Sequence, residues 1–290
     1  MTQIIQSLSE ISDRYEALFV DLWGCVHDGI RAIPSAVEAL QAYRARGGCV
    51  VLVTNAPRAR HEVAKQLDRF GVPQDAWDDI ATSGDSGRAA MFRGAVGSKV
   101  WFMGQTFDHS FFEPLNIIEN PVQIEQVPLD EAEGIICCGP FDPHADPAVN
   151  RPEFLFAKQK GLKLLCANPD IVVDRGERRE WCAGALAKLY TEMGGESLYF
   201  GKPHPPIYDL ARRRLSEHRK GVQDAGILAI GDGPHTDIDG AMGEDIDSLF
   251  ITGGLARAET KTSQQPDPEA LNAYVETEMI NPSYSIGMLR

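Results

Sequence analysis

The chain has no run approaching the roughly 20 consecutive apolar residues that a helix needs to cross a bilayer, which excludes a helical membrane span. Its first sixteen residues carry Glu10, Asp13, Arg14 and Glu16 instead of a basic-then-apolar leader, so no secretory signal is read there. Positive charge is scarce: 28 Lys and Arg face 42 Asp and Glu, for a net charge of -14. That balance argues against a nucleic-acid partner, because phosphate-backbone affinity needs clustered basic residues. The six cysteines form no CxxC pair, and several lie in apolar runs, with Cys49 beside Val50–Val53 and Cys137 and Cys138 closing Gly134–Cys138. They read as buried thiols of a reducing cytoplasm, not as a disulfide framework.

What is present is ordinary globular composition, 43% hydrophobic and 24% charged, over 290 residues, a length that fits two domains. Short apolar runs alternate with amphipathic stretches. Ala17–Val20 and Cys49–Val53 are strand-like, and between them Pro34–Arg46 repeats Val37, Leu40 and Tyr43 at helical spacing before Gly47–Gly48. Arg58–Phe70 is a second helix, closed by Gly71. Downstream, Ile207–Arg219 reads as helix, Gly226–Ile230 and Ser248–Thr252 as strands, with a helical turn opening at Gly240–Gly243. The middle has its own alternation, with strands at Lys99–Met103, Gly134–Cys138 and Leu162–Ala167 and a helix at Arg151–Lys160. Towards the end, Arg257–Gln265 is a polar surface loop and Pro266–Thr277 a helix. Strand–helix–strand alternation predicts an α/β fold with a parallel sheet, whose ligands bind beyond the carboxyl ends of the strands. Polar residues cluster at such ends: Asp21, Thr54–Asn55 and Asp232.

Four blocks carry candidate chemistry. Phe19-Val20-Asp21-Leu22-Trp23-Gly24-Cys25-Val26-His27-Asp28-Gly29 puts an aspartate at a strand exit before a glycine turn, where it can cap a loop or attack a phosphorus or carbon centre. Val53-Thr54-Asn55 offers a hydroxyl and an amide suited to phosphate oxygens. Gly201-Lys202-Pro203-His204-Pro205 holds a lysine in a proline-flanked turn, useful as a point charge beside phosphate or simply solvated. Ile230-Gly231-Asp232 with Thr236-Asp237 places two carboxylates five residues apart, which with Asp21 would suit magnesium. Each block alone is an ordinary loop.

Together and in this order, the blocks resemble the haloacid dehalogenase superfamily, and within it the class IIA branch of sugar-phosphate, nucleotide and p-nitrophenyl-phosphate phosphatases. Ile80-Ala81-Thr82-Ser83 and Ala167-Asn168-Pro169-Asp170 match that branch as well. The resemblance implies a Rossmann-like parallel-sheet core over residues 1–83 and 183–290, with an inserted α/β cap over 84–182. It implies Asp21 as nucleophile and metal ligand, the backbone carbonyl of Trp23 and the carboxylate of Asp232 as further Mg2+ ligands, and Asp237 supporting that shell or Lys202. Thr54 and Asn55 would hold the transferring phosphoryl, and Lys202 would neutralise it. Arg58 would either meet an anionic substrate or start its helix. Asn168 and Asp170, on the Asn-Pro-Asp turn, are candidate substrate-binding residues at the cap–core junction, so that altering them should shift preference among substrates.

The departure is Trp23. Phosphatases of the superfamily usually carry there a second aspartate that protonates the leaving group, a contribution of about 10²–10⁴ in rate. An aromatic residue at this position is also found in the dehalogenase members, so carbon–halogen hydrolysis is an alternative, as is a protein that binds a phosphorylated ligand with little turnover. His27, His204 and His235 are candidate replacement donors or plain loop residues. The expected partner is a small phosphorylated molecule, with neither nucleic acid nor membrane, in the cytoplasm. Oligomeric state is open, a homodimer included.

Overall fold

The computed structural model describes residues 2–115, 118–175 and 178–290. The chain divides into two compact units, one formed by the residues up to Thr54 with Val63–Ala81 and Tyr208–Arg290, the other by Asn55–Glu62 and Thr82–Ile207.

The first unit opens with β1 (Gln3–Ile4), β2 (Ala17–Val20), α1 (Pro34–Ala45), β3 (Cys49–Thr54), α2 (Arg60–Phe70) and β4 (Asp79–Thr82). Pro34 suits the first turn of α1, where an N–H would have no helical partner, and the helix then buries Ala36, Val37, Leu40 and Tyr43 along one stripe. β2 and β3 are buried at every position, as a parallel strand covered on both faces must be. There follow α3 (Ser83–Phe92), β5 (Lys99–Met103), β6 (Glu125–Gln126), β7 (Gly134–Cys137), α4 (Arg151–Gln159), β8 (Lys163–Cys166), β9 (Val172–Arg175), β10 (Arg178–Trp181), α5 (Ala183–Glu192) and β11 (Glu196–Tyr199). The chain finishes with α6 (Pro205–His218), β12 (Ile227–Gly231), α7 (Asp239–Gly243), β13 (Asp247–Ile251), α8 (Pro268–Thr277) and β14 (Tyr284–Ile286).

The sheet of the first unit runs β1-β14-β13-β12-β2-β3-β4. Its pairs from β1 across to β3 are parallel. From β2 the chain moves outward through β3 and β4, then resumes at β12 on the other flank of β2 and moves outward through β13 and β14. Strand order therefore reverses between β2 and β12, which pair Ala17 with Ile227 and Val20 with Ile230. A reversal of this kind leaves a crevice past the carboxyl ends of the two strands. Both ends carry an aspartate.

The second unit is built on a separate five-stranded parallel sheet, β11-β8-β7-β5-β6. Alternate strand residues serve opposite faces. Ile135, Cys137, Leu164 and Cys166 pack with Phe154 of α4 and Leu186 and Tyr190 of α5. Ile136 and Leu165 pack with Met91 and Phe92 of α3 and with Phe111. The α/β class and parallel sheet expected from the alternation are present, as is the Rossmann-like core implied by the resemblance. α5 and β11, which lie beyond residue 182, belong to this second unit: β11 pairs with β8, and Leu186 and Tyr190 of α5 are buried against its sheet. Asn55–Glu62 also belongs to this unit. Within 84–182, residues 116, 117, 176 and 177 lie outside those described. β9 and β10 form an antiparallel ribbon that the alternation did not announce. No helix among the described residues is long and apolar enough to cross a membrane. All six cysteines are buried and none is in a disulfide, in line with thiols packed in cores.

Candidate active site

Asp21 follows β2 directly, and its own amide still bonds Ile230 O at 2.8 Å, so the strand ladder holds the residue up to its α-carbon. The chain then folds back at once. Val26 N and His27 N both donate to Leu22 O, at 2.8 and 3.0 Å, and Gly24 N donates to His27 O at 3.0 Å. Gly24 has φ +72° and passes so close to Asp232 that a Cβ there would overlap its carboxylate. Only glycine meets both demands without strain.

Asp232 follows β12 on the neighbouring strand, and Leu255 N donates to its Oδ2 at 3.0 Å. Gly254 approaches the same carboxylate as closely as Gly24 does. Asp21 and Asp232 are both buried, 7% and 6% exposed. Cys25 is close to both, and one donor atom from each of the three falls within 4.8 Å of the others. Asp237, in a π-helical turn at Pro234–Ile238, accepts from Gly233 N at 3.0 Å and packs against Gly231. It shapes the loop that presents Asp232. Thr54 ends β3, next to β2, and is buried. Cys25 is the residue that sequence reasoning missed; its position in the turn four residues after Asp21 was the available signal.

The donor set tests the metal expectation. Two buried carboxylates on adjacent strand ends suit a hard divalent cation that keeps several waters, so the residues fit magnesium.

The second unit gathers Asn55, Asp170 and Lys202. Asn55 Oδ1 accepts from Lys202 N at 2.7 Å, while its Nδ2 donates to Lys202 O at 3.1 Å and to Asp170 Oδ1 at 2.8 Å. Both amide hydrogens of Asn55 are thereby engaged, and the side chain acts as a clamp on the Lys202 backbone. Asn168 Oδ1 accepts from Asp170 N at 3.0 Å, fixing the Asn-Pro-Asp turn that aims Asp170 at Asn55. Gly201 lies against Asn55, Ser83 and Pro169, where a side chain would collide with all three. Lys202 is 3% exposed, so it is not a solvated surface lysine.

Arg58 stands apart from that clamp. Its guanidinium lies 4.6 Å above the Phe107 ring, and its Nε is 3.8 Å from Asp108 Oδ1. Burial pushes the Asp108 carboxyl up to about 6, although Gln105 N, Arg58 and His109 all pull it down.

The Trp23 indole packs against Gly29 and meets the His27 ring edge-on, centroids 5.3 Å apart. His27 Nδ1 accepts from Gly29 N at 3.1 Å, which puts a neutral ring's proton on Nε2. His204 stacks on Tyr199 at 4.8 Å, and burial holds its pKa below the ordinary value. His235 is bonded to Asp239 and Glu278, and those hydrogen bonds raise its pKa despite partial burial. Each of the three histidines thus has a local structural partner.

Comparison with known proteins agrees with this geometry. The pattern of the haloacid dehalogenase-like hydrolases matches residues 18–117, and a HAD-hydrolase-like pattern matches residues 199–276. A crystal structure of a haloacid dehalogenase-like family hydrolase from Brucella suis 1330 is 36% identical, with a TM-score of 0.86, over 99% of this chain and 100% of that one. Phosphoglycolate phosphatase 1A of Arabidopsis thaliana, a chloroplastic protein, is 23% identical over 92% of this chain and 76% of its own length. D-glycerol 3-phosphate phosphatase of Mycobacterium tuberculosis is 26% identical over 87% of this chain and 67% of its own length. With an aspartate at the end of each of the two strands that flank the reversal, the chain belongs to the haloacid dehalogenase-like hydrolases.

Proposed function

We propose that this protein is a phosphatase that hydrolyses a small phosphorylated metabolite through an aspartyl-phosphate on Asp21, with Mg2+ held by Asp21, Asp232 and the Trp23 backbone carbonyl. The observation that carries this reading is the buried carboxylate pair of Asp21 and Asp232 on adjacent strand ends. Relatives named for phosphoglycolate and glycerol 3-phosphate hydrolysis support the substrate class. A carboxylate oxygen of Asp21 attacks phosphorus, the substrate oxygen departs, and water then cleaves the acyl phosphate. The cation supplies charge neutralisation at the transferring group. Thr54 contributes its hydroxyl to the phosphoryl oxygens and Lys202 a positive charge. Asn55 and Asp170 set the position of Lys202, and Asp237 sets that of Asp232.

The test is turnover of p-nitrophenyl phosphate and a panel of phosphorylated metabolites by purified protein, with and without Mg2+. Asp21→Asn keeps the shape of the side chain but loses the nucleophile, so turnover should vanish while the folded circular-dichroism spectrum stays. Activity above a tenth of wild type would remove Asp21 from its role. One observation favours a second reading, a binding protein with slow turnover. Trp23 stands where a proton donor is expected, and its indole is packed on Gly29. Tight phosphate-ester binding without Mg2+-dependent release of product would establish that reading instead. The carboxylate pair favours phosphoryl over carbon–halogen chemistry, because a dehalogenase needs no metal.

A further inference from the structure

The turn that carries Asp21 back toward Asp232 also buries a thiol. Cys25 is 1% exposed, and its Sγ belongs with carboxylate oxygens of Asp21 and Asp232 in a group of donor atoms all within 4.8 Å of one another. Among the described residues this is the one cluster of three His, Cys, Asp or Glu side chains so arranged. The remaining cysteines lie elsewhere: Cys49 opens β3, at the end opposite Thr54, and Cys137, Cys138, Cys166 and Cys182 belong to the second unit. Burial pushes those five thiols well up, that of Cys49 to about 12, which leaves them inert packing.

Carboxylates and water select hard cations, whereas a thiolate selects thiophilic ones. Tetrahedral zinc with bonds of about 2.3 Å to sulfur and 2.1 Å to oxygen sets its ligand atoms roughly 3.6 Å apart. With its donor atoms no more than 4.8 Å apart, the cluster is at most about 1.2 Å wider than that spacing, a distance that small side-chain rotations can close. We propose that Cys25 makes this a mixed oxygen–sulfur site that binds a thiophilic divalent cation of the zinc type in competition with Mg2+. The Cys25 thiol releases its proton to solvent as the metal–sulfur bond forms, and no electron is transferred. An ion held this way ties up the Asp21 carboxylate and blocks turnover. Cys25 is then the residue that sets which metal the site accepts. This inference rests on the reading of Asp21 and Asp232 as cation ligands.

The experiment uses the full chain with Co2+ as a spectroscopic probe and calorimetric titration of Zn2+ and Mg2+. Wild type is expected to develop a sulfur-to-cobalt charge-transfer band in the near ultraviolet. Cys25→Ser should lack the band, bind Zn2+ at least about tenfold more weakly, and keep its Mg2+ affinity; tenfold is already what losing an outer hydrogen-bond partner of a ligand costs. Cys25→Ala should reproduce the loss, so that a folding defect in one variant does not decide the matter. Cobalt binding to wild type without the band, or a band that survives in both variants, would overturn the proposal and leave the magnesium reading standing. If wild type binds neither Mg2+ nor Co2+, the metal reading and this inference fall together.

Discussion

At the scale of single residues, two side chains set measurable expectations. On the proposed phosphatase reading Trp23 stands where a proton donor is expected, so any defect should grow with the basicity of the leaving group. A p-nitrophenolate departs unaided and an alkoxide does not, so wild type should prefer aryl over alkyl phosphates. Trp23→Asp should raise alkyl phosphate hydrolysis, within the roughly 10²–10⁴ range of a positioned acid. The indole's packing on Gly29 and His27 would be lost at a cost of a few kcal/mol, so melting curves must accompany the kinetics. A folded variant with no gain would show that another group supplies the proton or that none is needed. Asp108 bears on stability. Its buried carboxyl titrates at about 6, above the ordinary value of 3.8, so the folded chain holds that proton to higher pH than the unfolded chain. Its stabilising contribution is therefore complete below about pH 4 and is lost as pH rises through about 6, by at most roughly 3 kcal/mol. Asp108→Asn keeps an acceptor for Gln105 N and should flatten the dependence of the urea midpoint between pH 4 and 7. An unchanged slope would show that Arg58 already compensates the charge.

At the scale of elements, loops and turns position the chemistry by sharing a few polar contacts. Asn55 spends both amide hydrogens on Lys202 O and Asp170 Oδ1. Removing Asp170 frees one of those buried donors, at a cost of about 1–3 kcal/mol. Because the clamp fixes the Lys202 backbone, Asp170→Ala should lower kcat uniformly across substrates, with little change in their ranking. The sequence expectation for Asn168 and Asp170 is the reverse, a shift in preference, so the two outcomes separate a positioning turn from a substrate contact. The strands themselves were legible: Ala17–Val20 was read to the residue, and Cys49–Val53 fell one residue short. Both are buried on two faces and therefore appear as unbroken apolar runs. Two-residue β1 and β6 carry too few residues for any periodicity, and β11 is half-buried with the mixed sequence Glu-Ser-Leu-Tyr. Their strand character comes from pairing with β14, β5 and β8, which no local pattern records.

At the scale of the whole molecule, each unit has its own sheet and its own apolar clusters. Separate cores of this kind melt as separate cooperative units unless strongly coupled. Scanning calorimetry should therefore give a calorimetric enthalpy larger than the van't Hoff enthalpy, and equal values would show that the units unfold as one. Asn55–Glu62 follows β3 directly yet belongs to the second unit, together with Lys202 and Asp170. No boundary at this place is marked by composition, because the division follows contacts made by residues far apart in the chain.

The sequence by itself determined the α/β class, the strand-end placement of Asp21, Thr54 and Asp232, and the kinship with haloacid dehalogenase-like hydrolases. These depend on apolar runs, helical periodicity and motif order, all of which are written along one dimension. Only the tertiary structure decided that β12 lies beside β2, and so that Asp21 and Asp232, more than two hundred residues apart, end on neighbouring strands. It also decided that Asn55 bonds the Lys202 backbone and Asp170, and that a Cys25 donor atom falls within 4.8 Å of carboxylate oxygens of Asp21 and Asp232. Hydrogen bonding and coordination are settled by distance in space, and sequence separation carries little information about distance once the chain has crossed from one sheet to another and back.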